Sequence, residues 1–439
     1  MTRTFRSSQG PSPNERLARA LERLDALVDW ERRDRSAGSG RAMRVDLAPA
    51  AALTDRLGRP QDAFHAVHVA GSKGKGSTAH AIAGGLGAAG LRVGLYTSPH
   101  VERLNERIVV AGDPVDDEAL AAALEAALAA REAGAERTDA ASRATWFDVL
   151  TAAAFWHFRA SRCELAVVEC GLGGRLDSTN VVRPALCVVT TIALEHTAIL
   201  GDDRATIAAE KAGILAPGVP AIAADARVSS AVGNALRNAA ALAGTSLVDV
   251  PGARAGRIAE RNRALADAAL ERLGRGGLRG RDGRPVGARL VSDPARAGLP
   301  GRLERQSVAG VPVVLDGAHV PSSLRLVLQD LDGAPGLSGP LVCVFGCGKD
   351  KDALGLLKTL APWADRTLCT RAGDGPYADP EELSALAAEL GSAAEPFDDA
   401  ARALSEALRL AGRLGGWVLV TGSLHLVGAL RSATREPSC

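Results

Sequence analysis

The stretch Val67-His68-Val69-Ala70-Gly71-Ser72-Lys73-Gly74-Lys75-Gly76-Ser77-Thr78 decides the fold. An apolar β-type run over 66–70 enters a glycine-rich turn, and a helical pattern over 77–89 follows. Strand, turn, lysine, hydroxyl and helix, in that order, read as a phosphate-binding turn. The glycines let backbone N–H groups turn inward around phosphate oxygens. The helix N-terminus adds its positive dipole, and Lys75 reaches the β- and γ-phosphates. A hydroxyl at Ser77 can coordinate Mg²⁺. The spacing is GxxGKGS, with Gly76 between Lys75 and Ser77, instead of GxxxxGK[ST]. A bare βα connection would leave the lysine and hydroxyl in register unexplained.

Outward from this turn, apolar runs alternate with helical patterns. Candidate strands are 66–70, 92–96, 165–170, 186–192 and 219–223, with amphipathic Ala/Leu stretches such as 77–89 and 145–160 between them. The rhythm returns at 312–316, 341–345, 366–369 and 417–421. Strands apolar on both faces and separated by helices predict parallel α/β sheets. The Gly/Arg/Pro-rich stretch 274–300 separates the two halves. The expected architecture is α/β: a P-loop-containing parallel-sheet domain over 1–297, then a smaller Rossmann-like domain over 298–439, with a cleft between them. Residues 32–42, charged and rich in Gly and Ser, read as an exposed flexible loop.

Composition narrows the function classes. The 439 residues fit two or three domains at roughly 100–200 residues each. Lys+Arg total 52 and Asp+Glu 51, for a net charge of +1, which argues against an electrostatic nucleic-acid binder. Hydrophobic residues make up 46%, so global disorder is excluded. No run approaches the ~20 apolar residues of a membrane helix, and the start lacks the apolar region of a secretion signal. Seven cysteines without a CxxC pair fit a reducing cytoplasm better than disulfides or a zinc site.

Polar residues cluster where strands end. Glu169 closes strand 165–170, and a carboxylate facing a P-loop suits Mg²⁺; the bland alternative is a buried, paired glutamate. Ser98, after strand 92–96, can offer another oxygen. His196 is read equally as a metal ligand or a capping side chain, and Lys211, on a predicted helix, as an ordinary solvated lysine. Asn105-Glu106-Arg107 reads as a mobile polar segment. Asp316 to His319 and Thr421 to His425 end two strands of the second half. Gly346 to Asp352 resembles a nucleotide motif without its order and is read as a βα turn.

Taken together, HVAGSKGKGST, GLYTSPHVERLNERI, TWFDVLTAAAFWHF, VVECGLGGRLDSTNVV, LEHTAILGDDRATIAAEKAGIL, PGRLE, DGAH and VLVTGSLHLVG resemble the folylpolyglutamate synthase/dihydrofolate synthase family of the Mur ligase superfamily. The likeness runs from about residue 14 to 432. It implies ATP phosphate binding by Ser72, Lys73, Gly74, Lys75, Gly76 and Ser77. It implies ATP contacts from Asn262, Arg302 and Asp316, and Mg²⁺ ligation by Ser98, Glu169, His196 and Lys211, with two metal sites. Lys211 falls where the family carries a carbamylated lysine, an anionic oxygen ligand suited to hard Mg²⁺. Lys75, His196 and Lys211 are the implied catalytic set. Thr145, Trp146, Phe147, Asp148, Leu176, Asp177 and Ser178 match segments that hold the pterin, and His319 and Ser423 match positions near the incoming glutamate.

The implied reaction is ATP-dependent. A pteroate or folate carboxylate attacks the γ-phosphorus and expels ADP, and the amine of L-glutamate then displaces phosphate from the acyl phosphate. Partners would be dihydropteroate or a reduced folate, L-glutamate and ATP, with no nucleic acid and no membrane, in a cytoplasmic monomer. Alternatives are a Mur-type amide ligase for another carboxylate, or an impaired homologue that binds nucleotide or pterin. Three departures from the family pattern stand out: Lys73 and Val320 where asparagine is usual, and Glu195 where aspartate is usual. The segment around 28–45 is poorly matched.

Overall fold

The structure is a computed structural model that describes residues 12–29, 46–135, 139–227, 230–254, 256–290 and 299–435. The loop expected at 32–42 lies outside the described residues.

Eight strands form the first sheet: β1 (His65–Ala70), β2 (Val93–Tyr96), β3 (Ile108–Val110), β4 (Asp113–Pro114), β5 (Leu165–Glu169), β6 (Pro184–Val189), β7 (Ala221–Ala223) and β8 (Leu247–Asp249). Their order is β4-β3-β2-β5-β1-β6-β7-β8. The six from β2 to β8 run parallel, and β3 and β4 add antiparallel at one edge. β1 and β5 are buried on both faces over most or all of their length, which is why they read as unbroken apolar runs. Helices Pro13–Asp25, Asp117–Ala135 and Trp146–Ala160 share one core with Ala66 and Val168. Helices Lys75–Ala88 and Ile258–Arg275 share another with Val67 and Val167.

The second sheet comprises β9 (Glu304–Val308), β10 (Val311–Leu315), β11 (Leu341–Phe345), β12 (Arg366–Cys369), β13 (Ala394–Pro396) and β14 (Trp417–Thr421), in the order β13-β12-β11-β14-β10-β9. Only β9 is antiparallel. Helices Pro321–Leu331 and Ala353–Leu360 cover one face, and Ala400–Leu414 and Leu424–Thr434 the other.

Nine strands answer the sequence expectation within a few residues. β3, β4, β8, β9 and β13 were not foreseen. They are edge or near-edge strands; four are two or three residues long, and five-residue β9 alternates half-buried with exposed positions, so none forms a long apolar run. The helix expected from residue 77 begins at Lys75, which places Lys75, Gly76 and Ser77 together in its first turn. The segment 105–107, read as mobile, is a 3₁₀ turn in which Asn105 and Arg107 are buried. Asn105 donates to Val115 O (2.8 Å), and Arg107 donates to His100 Nδ1 (2.8 Å) and stacks over Trp146.

Register positions the site. Val69 pairs with Glu169 and Ala70 with Val189, so the P-loop, Glu169 and the loop after β6 leave the sheet side by side at the carboxyl ends of their strands. Ligands of open α/β sheets collect there.

Candidate active site

A cleft of about 1780 Å³ runs between the two sheets. Its floor is the turn 71–77. Gly71 has φ 140° and Gly74 φ 83°. A Cβ on Gly71 would lie 1.9 Å from Thr190 Oγ1, and one on Gly74 would lie 2.3 Å from Asn262 Oδ1. Both positions exclude side chains, which leaves backbone room for an anion. Ser72 ties the turn to the loop after β6: its N–H donates to Thr191 O (2.8 Å), and its hydroxyl donates to Ala193 O and accepts from Ala193 N. Thr78 N–H is the first to find a helical partner, Gly74 O. The N–H groups of Lys75, Gly76 and Ser77, in the first turn of the helix, precede that first helical bond, and a helix N-terminus of this kind suits a phosphate.

Around this floor the charges are coupled. Glu169 is buried and accepts Ser98 N–H at 3.1 Å. Burial raises its carboxyl above the usual range, against the pull of Lys75. Glu195 accepts Lys211 Nζ at 2.8 Å and lies 3.7 Å from Lys73 Nζ. Burial pushes the Glu195 carboxyl up, but Lys75, Lys211 and Lys73 outweigh it, and the net shift is down.

Lys211 corrects its first reading as a solvated lysine. Its side chain is 2% exposed, bonded to Glu195 and to Gly71 O (3.0 Å), and it lies beneath the cleft lining instead of on it. Burial and then Lys75 push its amine below the usual lysine range. His196 is exposed, lines the cleft and stands in the left-handed region at φ 48°. Its side chain makes no cap hydrogen bond, so the capping alternative fails.

Among the described residues, no group of three His, Cys, Asp or Glu side chains gathers into a metal cage. The donors facing the turn are instead hard oxygens: the Ser77 and Ser98 hydroxyls and the Glu169 carboxylate. That set fits Mg²⁺, which keeps waters and takes one or two carboxylates together with substrate phosphate.

The pterin-segment residues sit at the end of the cleft where helix Trp146–Ala160 begins. Thr145 caps that helix, with its hydroxyl and N–H both on Asp148 Oδ2 (2.8 Å each). Ser178 donates to Asp148 Oδ1. Asp177 accepts Leu172 N–H (2.7 Å) and Thr179 N–H (3.0 Å). Burial raises both carboxyls. Phe147 lies against Gly171, where a Cβ would come within 2.5 Å of its ring, and Leu176 lines the same end. Trp146 does not line the cleft: it is buried, donates its indole N–H to Asp25 Oδ1 (3.0 Å) and packs in the helical core.

From the second sheet come Arg302, Asp316, His319 and Ser423. Asp316 is buried, and its two oxygens accept Leu303 N–H and Ala318 N–H (2.9 Å each), so it braces the backbone around the cleft. Ser423 caps helix Leu424–Thr434. His319 Nδ1 pairs with Gly317 O (2.9 Å), and burial pushes the ring down to about 4. Tyr377, which sequence reasoning missed, also lines the cleft, as do His425 of the strand-end segment 421–425 and Lys349 and Lys351 of the segment read only as a βα turn. Lys349 follows β11, and its place beyond a parallel strand's carboxyl end was the available signal.

Residues 301–424 match the Mur ligase, glutamate ligase domain. The chain is 32% identical over 418 residues to the folylpolyglutamate synthase of Lacticaseibacillus casei, across 86% of this chain and 92% of that protein. The chain belongs to the folylpolyglutamate synthase/dihydrofolate synthase family. Solved members of the family share its architecture. The Escherichia coli protein in complex with DHPP and ADP aligns with a TM-score of 0.78 at 28% identity, over 97% of this chain and 99% of that one. The bifunctional folylpolyglutamate synthase/dihydrofolate synthase of Yersinia pestis, with Mn, AMPPNP and L-glutamate bound, aligns at 0.75 and 27%, over 97% and 99%. Lys73 and Glu195 line the cleft and form an ion pair, and Val320 directly precedes helix Pro321–Leu331.

Proposed function

We propose that this protein is an ATP-dependent ligase that joins L-glutamate to the carboxylate of dihydropteroate or a reduced folate through an acyl phosphate. One observation carries the reading: the Lys75 turn, the Asp148 end and the His319–Ser423 face line a single cleft. Phosphoryl transfer asks little covalent chemistry of a protein; it needs charge neutralisation and in-line placement. Lys73 to Ser77 hold the triphosphate through backbone N–H groups, and Ser72, whose own N–H is taken by Thr191 O, fixes the turn in place. Lys75 and Arg302 neutralise charge on the γ-phosphoryl as the substrate carboxylate attacks it. Asn262, packed on Gly74, holds the nucleotide's side of the turn.

Ser77, Ser98, Glu169 and His196 are the residues that would hold divalent metal, in two sites. Bound metal would supply charge neutralisation at the phosphate oxygens and the substrate carboxylate. Lys211, whose amine burial makes easier to discharge, is the residue that would carry a carbamate. Asp148 and Asp177 orient the pterin. His319 and Ser423 place glutamate, whose amine displaces phosphate from the acyl carbon. The cleft excludes water from the acyl phosphate. The chain divides into domains near 297/298, a junction that lies outside the described residues, and the protein works as a cytoplasmic monomer. Among the described residues no helix is long and apolar enough to cross a membrane.

The test is phosphate release from ATP, assayed with dihydropteroate and with tetrahydrofolate, each with and without L-glutamate. Release that requires both a pterin and glutamate supports the reading. Release with neither marks an ATPase, and no release under any condition marks an impaired homologue.

A further inference from the structure

The loop that leaves β2 carries Ser98 to the phosphate end of the cleft, yet its far side is built into the other lobe. Val101 packs with the core beneath β10 and β14. On helix Leu424–Thr434, a Cβ at Gly428 would lie 2.3 Å from Val101 O. Glycine inside a helix is unfavourable relative to alanine, and this backbone contact from the first lobe accounts for its presence. Three residues along the same helix, Arg431 reaches back to the Glu102 carboxylate and also donates to Glu304 Oε1 (2.9 Å) and Oε2 (2.8 Å). The side chains of Arg431, Glu102 and Glu304 are only 12%, 19% and 14% exposed, and Arg435 adds a contact to Glu102 at 3.3 Å.

The loop between these anchors is braced from within. The Glu106 carboxylate collects three successive backbone donors, Val101 N–H (2.8 Å), Glu102 N–H and Arg103 N–H (3.1 Å each). At its other end, Ser98 N–H is fixed on Glu169. A displacement of Glu102 is therefore carried through a stiff segment to Ser98. Glu304 belongs to the same lobe as Arg431. If the lobes part, Arg431 keeps a carboxylate partner while Glu102 moves to water, so the contact opens without stranding a buried charge.

We propose that Glu102, Gly428 and Arg431 are positioning residues: they fasten the Ser98 loop to the second lobe, so that lobe docking sets the metal-binding end of the cleft. The metal part rests on the reading of Ser98 given under Proposed function; the fastening itself does not. Arg431→Met, Gly428→Ala and Glu102→Ala are made in the full chain, with urea midpoints recorded to confirm folding. Arg103, 62% exposed, lies in the loop and offers a trypsin site.

The expected results are about tenfold faster cleavage after Arg103 in each variant, and a five- to tenfold weaker Kd for ADP with Mg²⁺ in titration calorimetry. The Kd for ADP without metal should change less than twofold. Glu102→Ala with Arg431→Met should be no worse than Arg431→Met alone, because the two act through one contact. Unchanged cleavage in both Arg431→Met and Gly428→Ala overturns the fastening. Equal weakening of ADP with and without Mg²⁺ overturns the link to the metal end. Neither readout requires turnover, so a wild-type protein without glutamate-dependent phosphate release would defeat the functional reading and leave this one to its own result.

Discussion

Lys211 Nζ donates to Glu195 Oε1 over 2.8 Å in a pocket directly beneath the phosphate-binding turn. A buried ammonium is tolerated only with a counter-charge, and Glu195 supplies it. The same carboxylate faces Lys73, so one acid serves two cations.

In the uncarbamylated protein, Glu195→Ala should therefore destabilise the fold by about 3–5 kcal/mol, the usual cost of stranding one member of a buried pair. Urea denaturation measures it. Glu195→Ala with Lys211→Met should recover most of the loss. A single variant within about 0.5 kcal/mol of wild type would show that Lys211 does not depend on this partner.

Lys75→Ala should lower phosphate release by about 10²–10³-fold, as loss of a preorganised charge at a reacting phosphoryl does. The lysine lines the cleft at a helix start, so the unfolding midpoint should hold. Near-normal release would refute the P-loop assignment.

Lys73→Asn removes the second cation beside Glu195. The Lys73 side chain is 34% exposed. Solvent screening holds the effect to roughly 0.5–1 kcal/mol, a two- to fivefold rise in the KM for ATP. An unchanged KM would mean that Lys73 serves Glu195 alone.

Val320 is the N-cap of helix Pro321–Leu331 and gives it no side-chain hydrogen bond. Val320→Asn should stabilise the protein by about 1 kcal/mol through a new cap. The helix follows His319 directly, so the KM for glutamate should fall as well. A steady unfolding midpoint would rule out the cap, and a steady KM would separate Val320 from glutamate binding.

His68 is fully buried, with Nε2 on Thr179 Oγ1 (2.9 Å) and close to Cys170 Sγ, and burial pushes its ring down to about 3. Below pH 6.5 the unfolded chain takes up a proton here that the folded protein refuses. Its contribution is thus intact above pH 6.5 and is lost as pH falls from 6.5 toward 3. Between pH 7.5 and 5 the loss should be about 2 kcal/mol. His68→Gln should lower stability at neutral pH yet flatten its decline over that range. An equal slope in the two proteins, by urea titration at several pH values, would assign the decline to other groups.

The sequence by itself determined the alternation of nine strands with helices, the phosphate turn, the family and a set of site residues nearly all of which line the cleft. These are local facts: an apolar run, a glycine pattern and a polar residue at a strand's end are legible without knowing what packs on them. Five edge or near-edge strands were not legible: a strand of two or three residues exists only through the neighbour that pairs with it, and five-residue β9 alternates half-buried with exposed positions and forms no apolar run. Tertiary structure alone decided which side chains face the cleft. Trp146 and Phe147 are adjacent, yet helical geometry turns Trp146 to Asp25 and Phe147 to Gly171. Lys211 became a buried partner of Glu195, and Arg431 met Glu102 across 329 positions of chain. Such contacts depend on where two lobes dock, and no local pattern encodes that distance.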